Sequence, residues 1–216
     1  MNVFLHGWGF SKEIWKDFYN LDNSIFLDLP FHGELKKFST ENILENYIEY
    51  INAFVKEPSV FIGWSLGASV SILFYLKYPE KVKKLILIGF SPKFKSESLG
   101  HPPKYVKAFL LSLRKDFENT VYNFRVLSSD KKFENIPLPE KKGATKILNE
   151  YINLDLTDDL KKITVPAVII HGKKDKVVNY KVSYFVNQKI KNSELFLYPY
   201  NHSPFYNNPD IIVNCI

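Results

Sequence analysis

The sequence predicts one domain of the α/β class, with a mostly parallel sheet of about six strands and an inserted helical segment. A length of 216 residues suits a single domain. Short apolar runs alternate with helix-period segments up to residue 88 and again from residue 167, which is typical of a parallel sheet. The stretch 91–160 breaks this alternation with helical patterns and several prolines, so we expect an inserted helical cap there within a single domain 1–216.

The apolar runs identify the strands, and the turn residues after them mark their ends. The expected strands are Val3–Leu5, Ser24–Leu29, Val60–Ile62, Leu85–Ile88, Ala167–Ile170 and Leu195–Leu197. Apolar residues at helical spacing predict helices between them, at Ser11–Tyr19, Thr40–Val55, Ser65–Lys77 and Tyr180–Ile190, with a short helix at the end.

Composition narrows the functional classes. The net charge of +6 could favour nucleic acid, but the chain has only two arginines, Arg114 and Arg125, and arginine is the preferred reader of phosphates and bases. A single cysteine, Cys215, excludes an intrachain disulfide and a cysteine-based zinc site. No apolar run reaches the roughly eighteen residues of a membrane span, and the first residues do not resemble a signal peptide. We therefore expect a cytoplasmic protein that binds neither metal, nucleic acid nor membrane.

Gly63-Trp64-Ser65-Leu66-Gly67 carries the strongest chemical signal. It is a G-x-S-x-G motif between a predicted strand and a predicted helix, which is the context that a nucleophile elbow requires. The alternative is a chance match in a loop, which the flanking elements make much weaker. Ser65 is therefore the candidate nucleophile.

A serine nucleophile needs a base, and in this type of site the chain order is Ser, then Asp or Glu, then His. Asp175 comes just after an apolar strand, whereas its rivals Asp158 and Asp159 precede that strand and belong to the opposite edge. His202 follows the last strand and is favoured as the base. The alternatives are less well placed: His6, His32, His101 and His171.

This set predicts acyl transfer through a covalent intermediate. His202 takes the proton of Ser65, Asp175 orients the imidazole, and water then hydrolyses the acyl-enzyme. Two backbone N–H groups must stabilise the oxyanion. We assign them to Leu66, after the nucleophile, and to Trp8, in the glycine-containing turn His6-Gly7-Trp8-Gly9; an ordinary tight turn is the alternative for the latter.

With these motifs the chain resembles the α/β-hydrolase superfamily over nearly its whole length. Within it, the chain is most similar to the pimeloyl-acyl-carrier-protein methyl ester carboxylesterases of biotin synthesis. Besides the residues above, the resemblance rests on Asp28-Leu29-Pro30, Tyr78-Pro79-Glu80-Lys81-Val82, Ser91-Pro92, Asp116-Phe117, Thr120-Val121, Phe124, Pro137-Leu138-Pro139-Glu140, Asp155-Leu156, Val165-Pro166, Gly172 and Pro204-Phe205.

The resemblance implies a cofactor-free esterase, expected to be a monomer, that cleaves a methyl ester from an acyl chain on acyl carrier protein. It also implies an acyl pocket formed by Trp8, Leu66, Phe124, Arg125, Val126, Leu127, Ser128 and His202. Departures from the family pattern matter as well. Only five residues precede His6, so the usual N-terminal edge strands should be missing. Ala68 replaces a glycine, and asparagines at 119 and 123 stand where cap arginines thought to meet the carrier are expected.

Residues 91–115 could replace the missing arginines. This segment carries a net charge of +5, with Glu97 as its one acidic residue. Its basic residues are Lys93, Lys95, Lys104, Lys107, Arg114 and Lys115. They predict a dock for an acidic carrier protein, and a solvated lysine face is the equally weighted alternative.

Three other functions stay open at this point. The same triad could serve a broader short-chain carboxylesterase or a thioesterase. A lyase like the menaquinone-pathway synthase of this superfamily would need arginines near the site, of which the chain has few. A non-enzymatic ligand-binding protein of this fold would not need Ser65, Asp175 and His202 together.

Overall fold

A computed structural model describes residues 1–133 and 135–216, and its centre is a six-stranded parallel sheet. The strands lie in the order β2-β1-β3-β4-β5-β6, and every neighbouring pair is parallel. Their bounds are β1 Asn2–Leu5, β2 Ser24–Leu27, β3 Ser59–Trp64, β4 Val82–Ile88, β5 Ala167–Gly172 and β6 Ser193–Tyr198. The predicted class and strand number are confirmed.

Helices flank the sheet and follow most of the predicted positions. They are α1 Ile43–Phe54, α2 Leu66–Lys77, α3 Pro103–Lys115, α4 Phe117–Ser128, α5 Lys141–Asn153, α6 Val182–Lys189, α7 Pro204–Asn207 and α8 Asp210–Val213. Short 3₁₀ helices cover Lys12–Phe18, Pro79–Lys81 and Leu160–Lys162. In the part of the chain that the structure describes, no helix combines the length and the apolar character needed to cross a membrane.

Two predicted helices differ from the structure. The segment Ser11–Tyr19 forms a 3₁₀ helix rather than an α-helix. The helix predicted from Thr40 begins only at Ile43, because Asn42 has a positive φ of 46° and interrupts the chain there. The carboxylate of Glu150, on α5, accepts hydrogen bonds from the backbone N–H groups of Ile43 and Leu44 at 2.8 and 2.9 Å. A distant side chain therefore caps α1.

The sheet is buried on both faces, because alternate strand residues enter different cores. Val3, Leu5 and Phe61 face a core completed by α1, α2 and α5. Phe4 and Ile62 face a second core, which the first 3₁₀ helix, α7 and α8 complete. This double burial explains the near-continuous apolar character of the strands and leaves the loops at their carboxyl ends to carry polar chemistry.

The helices α3, α4 and α5 all lie between β4 and β5 along the chain, within the segment predicted as a cap. Pro103 begins α3, where a proline costs no hydrogen bond. The side chains of Asp116 and Glu140 cap the first turns of α4 and α5. That these helices act as a lid stays a prediction.

Candidate active site

Ser65 occupies a sharp turn between β3 and α2. Its backbone has φ 56° and ψ −118°, a strained conformation for a residue with a side chain. A Cβ atom on Gly63 would lie 2.5 Å from the Cα of Ala68, and one on Gly67 would lie 2.1 Å from the carbonyl oxygen of Leu5. Only glycine fits these two positions, so the motif produces the expected elbow geometry.

The Asp175 carboxylate follows β5 and accepts four hydrogen bonds. Its Oδ1 accepts from the backbone N–H groups of Val177 and Val178 at 2.7 and 2.8 Å. Its Oδ2 lies 2.6 Å from His202 Nδ1 and 3.0 Å from His171 Nε2. Burial acts to raise the pKa of Asp175, but the two histidines outweigh it and hold that pKa below its ordinary value. The group is therefore a carboxylate at neutral pH.

His202 lies in the loop after β6 and is almost fully buried. Because Nδ1 contacts Asp175, Nε2 is on the other side of the ring, and no residue in the described ranges hydrogen-bonds to it. The indole N–H of Trp64 donates to the His202 carbonyl at 2.9 Å. A Cβ atom on Gly89 would come within 2.8 Å of the imidazole, so the ring packs directly on that backbone.

Ser65 and His202 both contact the end of β4 or the residue that follows it. The backbone N–H of Ser65 donates to the carbonyl of Ile88 at 2.8 Å, and the next residue, Gly89, lies against the His202 ring. Ser65, Asp175 and His202 therefore gather at the carboxyl edge of the sheet, as the sequence predicts.

The alternative aspartates and histidines considered for the roles of Asp175 and His202 lie elsewhere or make other contacts. Asp158 and Asp159 precede β5 and pair with Lys161 and Lys162. His101 lies before α3 and contacts the carbonyl of Val177. The other three histidines are fully buried: His6, His32 and His171. His171 is nevertheless part of the site through Asp175, a contact that the sequence analysis missed; its place four residues before Asp175, beside a strand end, is the signal that could have found it.

Trp8 and Leu66 are both placed beside Ser65. Leu66 directly follows it, and a Cβ atom on Gly7, next to Trp8, would lie 3.2 Å from the Cβ of Ser65. Neither the Trp8 nor the Leu66 backbone N–H has a hydrogen-bond acceptor among the residues described. The Trp8 indole N–H instead donates to the Ala144 carbonyl at 2.8 Å, which ties this loop to α5.

The predicted acyl-pocket residues of α4 divide into two groups. Phe124 and Leu127 line an apolar cavity of about 130 Å³. Arg125 does not reach this cavity: its guanidinium donates to the carbonyls of Gly9, Ile136 and Pro137 at 2.7–2.9 Å. Burial lowers the pKa of Arg125 to about 10.

Val126 and Ser128 also lie outside this cavity. Val126 is 57% exposed on the outer face of α4. The Ser128 hydroxyl donates to the Phe124 carbonyl at 2.8 Å, and the Ser128 carbonyl accepts from the N–H and hydroxyl of Ser203, at 3.0 and 2.9 Å. Ser128 therefore joins α4 to the loop that holds His202.

Several cavity residues were missed by the sequence analysis. The remaining lining residues are Phe94, His101, Tyr105, Val106, Phe109, Lys176 and Val177. Val106 and Phe109 are three residues apart on α3, so helical periodicity could have found an inward face there. The pairing of that face with Val177, near Asp175, depends on the tertiary fold.

Some basic side chains of residues 91–115 contact polar partners, whereas others are exposed. Lys93 pairs with Asp155 at 2.6 Å, and Lys95 donates to Asn153 at 2.7 Å. The exposed basic residues are Lys104, Lys107, Arg114 and Lys115, all on α3.

Comparison with known proteins places the chain among the hydrolases. A profile of the serine aminopeptidase S33 family matches residues 37–204, more than half of the chain. The chain belongs to this family. Its predicted membership among α/β-hydrolases is thereby confirmed.

Curated relatives are similar over almost the whole chain. The pimeloyl-(acyl-carrier protein) methyl ester esterase of Wigglesworthia glossinidia brevipalpis is 30% identical over an alignment that covers 99% of this chain and 91% of the relative. The protein of the same name from Vibrio parahaemolyticus is 30% identical, covering 96% and 89%. Together with the family match, these names confirm the predicted enzyme class, a hydrolase of carboxylic esters.

Solved structures confirm the fold. An esterase from Exiguobacterium antarcticum superposes with a TM-score of 0.87 at 21% identity, covering 99% of this chain and 89% of that one. A bromoperoxidase from Bacillus anthracis gives a TM-score of 0.84 at 18% identity, covering 98% and 90%. At these identities the likeness concerns architecture alone.

Proposed function

We propose that the protein is a serine carboxylesterase that hydrolyses the methyl ester of a pimeloyl chain carried on acyl carrier protein, a step of biotin synthesis. The observation that carries the chemistry is the 2.6 Å contact between Asp175 Oδ2 and His202 Nδ1, at the same sheet edge as the strained Ser65. The names of the similar proteins support the choice of substrate.

The reaction begins with proton transfer from Ser65 Oγ to His202 Nε2 while the oxygen attacks the ester carbonyl carbon. The tetrahedral intermediate collapses, the methoxy oxygen takes the proton from His202, and methanol leaves. Water then attacks the acyl-enzyme with His202 again as the base, which releases the free carboxylate and restores Ser65. Asp175 stabilises the imidazolium in both steps.

The backbone N–H groups of Trp8 and Leu66 form the oxyanion hole in this proposal. Both lie beside Ser65 and have no acceptor within the described residues, so they are free to bind a developing negative charge. Such donors act strongly because they are already in place when charge develops, and losing one costs about 3–4 kcal/mol in other enzymes.

The apolar cavity lined by Val177, two residues after Asp175, would hold the acyl chain. Its walls are mainly aromatic and aliphatic and include Phe109, Phe124 and Val177. Phe124 also packs on Trp8 with ring centroids 5.4 Å apart, so the cavity adjoins the proposed oxyanion loop. In this proposal α3, α4 and α5 form the cap that covers the acyl chain of the substrate.

The exposed basic residues of α3 would meet the acidic carrier. Lys104, Lys107 and Arg114 are spaced at intervals of three and seven residues, which brings them to one side of the helix. Lys93 contributes less in this role, because Asp155 already neutralises it. Electrostatic attraction of this kind raises the association rate and weakens with salt.

Hydrolysis assays with two substrates test the proposal: pimeloyl methyl ester on acyl carrier protein, and free monomethyl pimelate. We expect faster turnover of the carrier-borne ester, and a loss of kcat of about 10⁴-fold in Asp175→Asn, because the amide holds the wrong imidazole tautomer. Asp158→Asn is the matched control and should behave like the wild type.

A broader carboxylesterase or thioesterase with the same residues is the second candidate. Asn119 and Asn123, where family arginines are expected, favour it. Equal kcat/KM for free and carrier-borne esters would decide for this second function.

A further inference from the structure

Two buried histidines contact the loop that carries Trp8. His6 begins this loop, after β1, and His32 lies in the loop after β2. Their ring centroids are 5.6 Å apart. Neither is used by the mechanism proposed above.

Hydrogen bonds define the tautomer of His32. Its Nδ1 lies 2.8 Å from the carbonyl oxygen of Pro30, which can only accept, so Nδ1 carries the proton. The unprotonated Nε2 accepts from the backbone N–H of Gly9 at 3.1 Å. Burial, and secondarily the nearby His6, lower the pKa of His32 to about 3, so the ring is neutral at pH 7.

His6 fixes the peptide group between Gly7 and Trp8. Its Nε2 accepts from the Leu29 N–H at 3.0 Å, so its Nδ1 carries the proton and donates to the Gly7 carbonyl at 2.7 Å. In a trans peptide the N–H points opposite to the carbonyl. The Trp8 N–H is therefore directed away from the His6 ring, in a peptide group that adjoins Ser65.

We propose that His32 is a positioning residue for ester hydrolysis: by accepting from the Gly9 N–H, it fixes the peptide after Trp8 and keeps the Trp8 N–H in place as an oxyanion donor. This inference rests on the proposed function. Arg125 restrains the next peptide group, because its Nε donates to the Gly9 carbonyl at 2.7 Å. His6 and His32 thus hold the two peptide groups that flank Trp8, as a preorganised oxyanion donor requires.

A purely structural role for His32 predicts a different outcome from a positioning role. A ring that only fills the core would affect the free energy of unfolding and leave kcat unchanged. A positioning residue affects the transition state, so its loss lowers kcat while KM stays nearly the same.

The test compares His32→Gln with His32→Asn, with p-nitrophenyl butyrate as the assay ester. The glutamine oxygen can take the place of Nε2 and accept from Gly9, whereas the shorter asparagine cannot reach it. We expect kcat of His32→Asn to fall at least about tenfold, short of the 10²–10³-fold cost of deleting an oxyanion donor, with His32→Gln close to the wild type. KM should change little in both.

Amide hydrogen exchange of Gly9, followed by NMR, reports the contact without any catalysis. Exchange should be slow in the wild type and His32→Gln and faster in His32→Asn. Equal kcat in the two variants, or Gly9 exchange that His32→Asn leaves unchanged, would overturn the positioning role. A wild type that hydrolyses no ester would instead refute the proposed function, and the exchange data would still decide whether His32 holds the loop.

Discussion

The positions of Ser65, Asp175 and His202 at the carboxyl edge of the sheet could be predicted from the sequence because each follows a recognisable strand. The residues that support them are harder to find from the sequence. His32 reaches Gly9 through a contact that no local pattern encodes, whereas His171 lies only four residues before its partner Asp175. Both histidines are followed by glycine, His171 at the end of β5 and His32 in a loop, and this pattern gives no information on the partner of the ring.

At the residue scale, burial of His32 predicts a specific acid sensitivity. The folded state binds this proton only near pH 3, whereas the unfolded chain binds it near pH 6.5, so stability falls as the pH drops from about 6.5 towards 3. His6, Asp28 and Arg125 also face this ring and shift the same equilibrium. Between pH 7 and pH 5 the wild type should lose about 2 kcal/mol of unfolding free energy from this group alone.

Urea denaturation at the two pH values measures this loss. His32→Gln has no titrating ring and serves as the reference, so the difference in unfolding free energy between the two proteins should change by that amount. A difference that is independent of pH would show that His32 is not held neutral.

At the element scale, α4 is attached to the loop that carries Trp8 by a side-chain hydrogen bond as well as by packing. The bounds of α4 follow from the Asp116 cap and its apolar periodicity, but the attachment by Arg125 spans 116 residues to Gly9 and was beyond sequence reasoning. The same holds for Glu150, which caps the start of α1 from 107 residues away. The start of α1 therefore involves a contact that the local sequence does not show.

Arg125→Met should destabilise the protein, because three carbonyl oxygens lose charge-assisted hydrogen bonds while the apolar stem is largely kept. We expect about 2 kcal/mol, measured by urea denaturation. Arg125→Lys keeps the charge without the planar fork and should recover only part of the loss. A full recovery by lysine would indicate that charge, rather than the three directed hydrogen bonds, attaches α4.

At the scale of the whole molecule, the net charge of +6 is unevenly distributed. Part of the basic segment 91–115 is neutralised within the fold, and the exposed remainder lies on α3. The sequence could locate the excess charge but could not distinguish Lys93, paired with Asp155, from Lys107, which is exposed.

Lys107→Glu should therefore lower kcat/KM for a carrier-borne ester and leave hydrolysis of a free ester unchanged. Added salt should reduce the wild-type rate on the carrier-borne substrate towards that of the variant. Lys37→Glu, an equal charge change at an exposed position far along the chain from α3, is the control. Equal losses in both variants would indicate a general charge effect without a docking surface.

Trapping the acyl-enzyme tests most directly whether Ser65 is acylated during turnover. The wild type is mixed with p-nitrophenyl butyrate, quenched in acid within the first turnover, digested and analysed by mass spectrometry. We predict a butyryl group on the peptide that contains Ser65, and none in Ser65→Ala. A butyryl group on another residue, or full turnover by Ser65→Ala, would contradict the account.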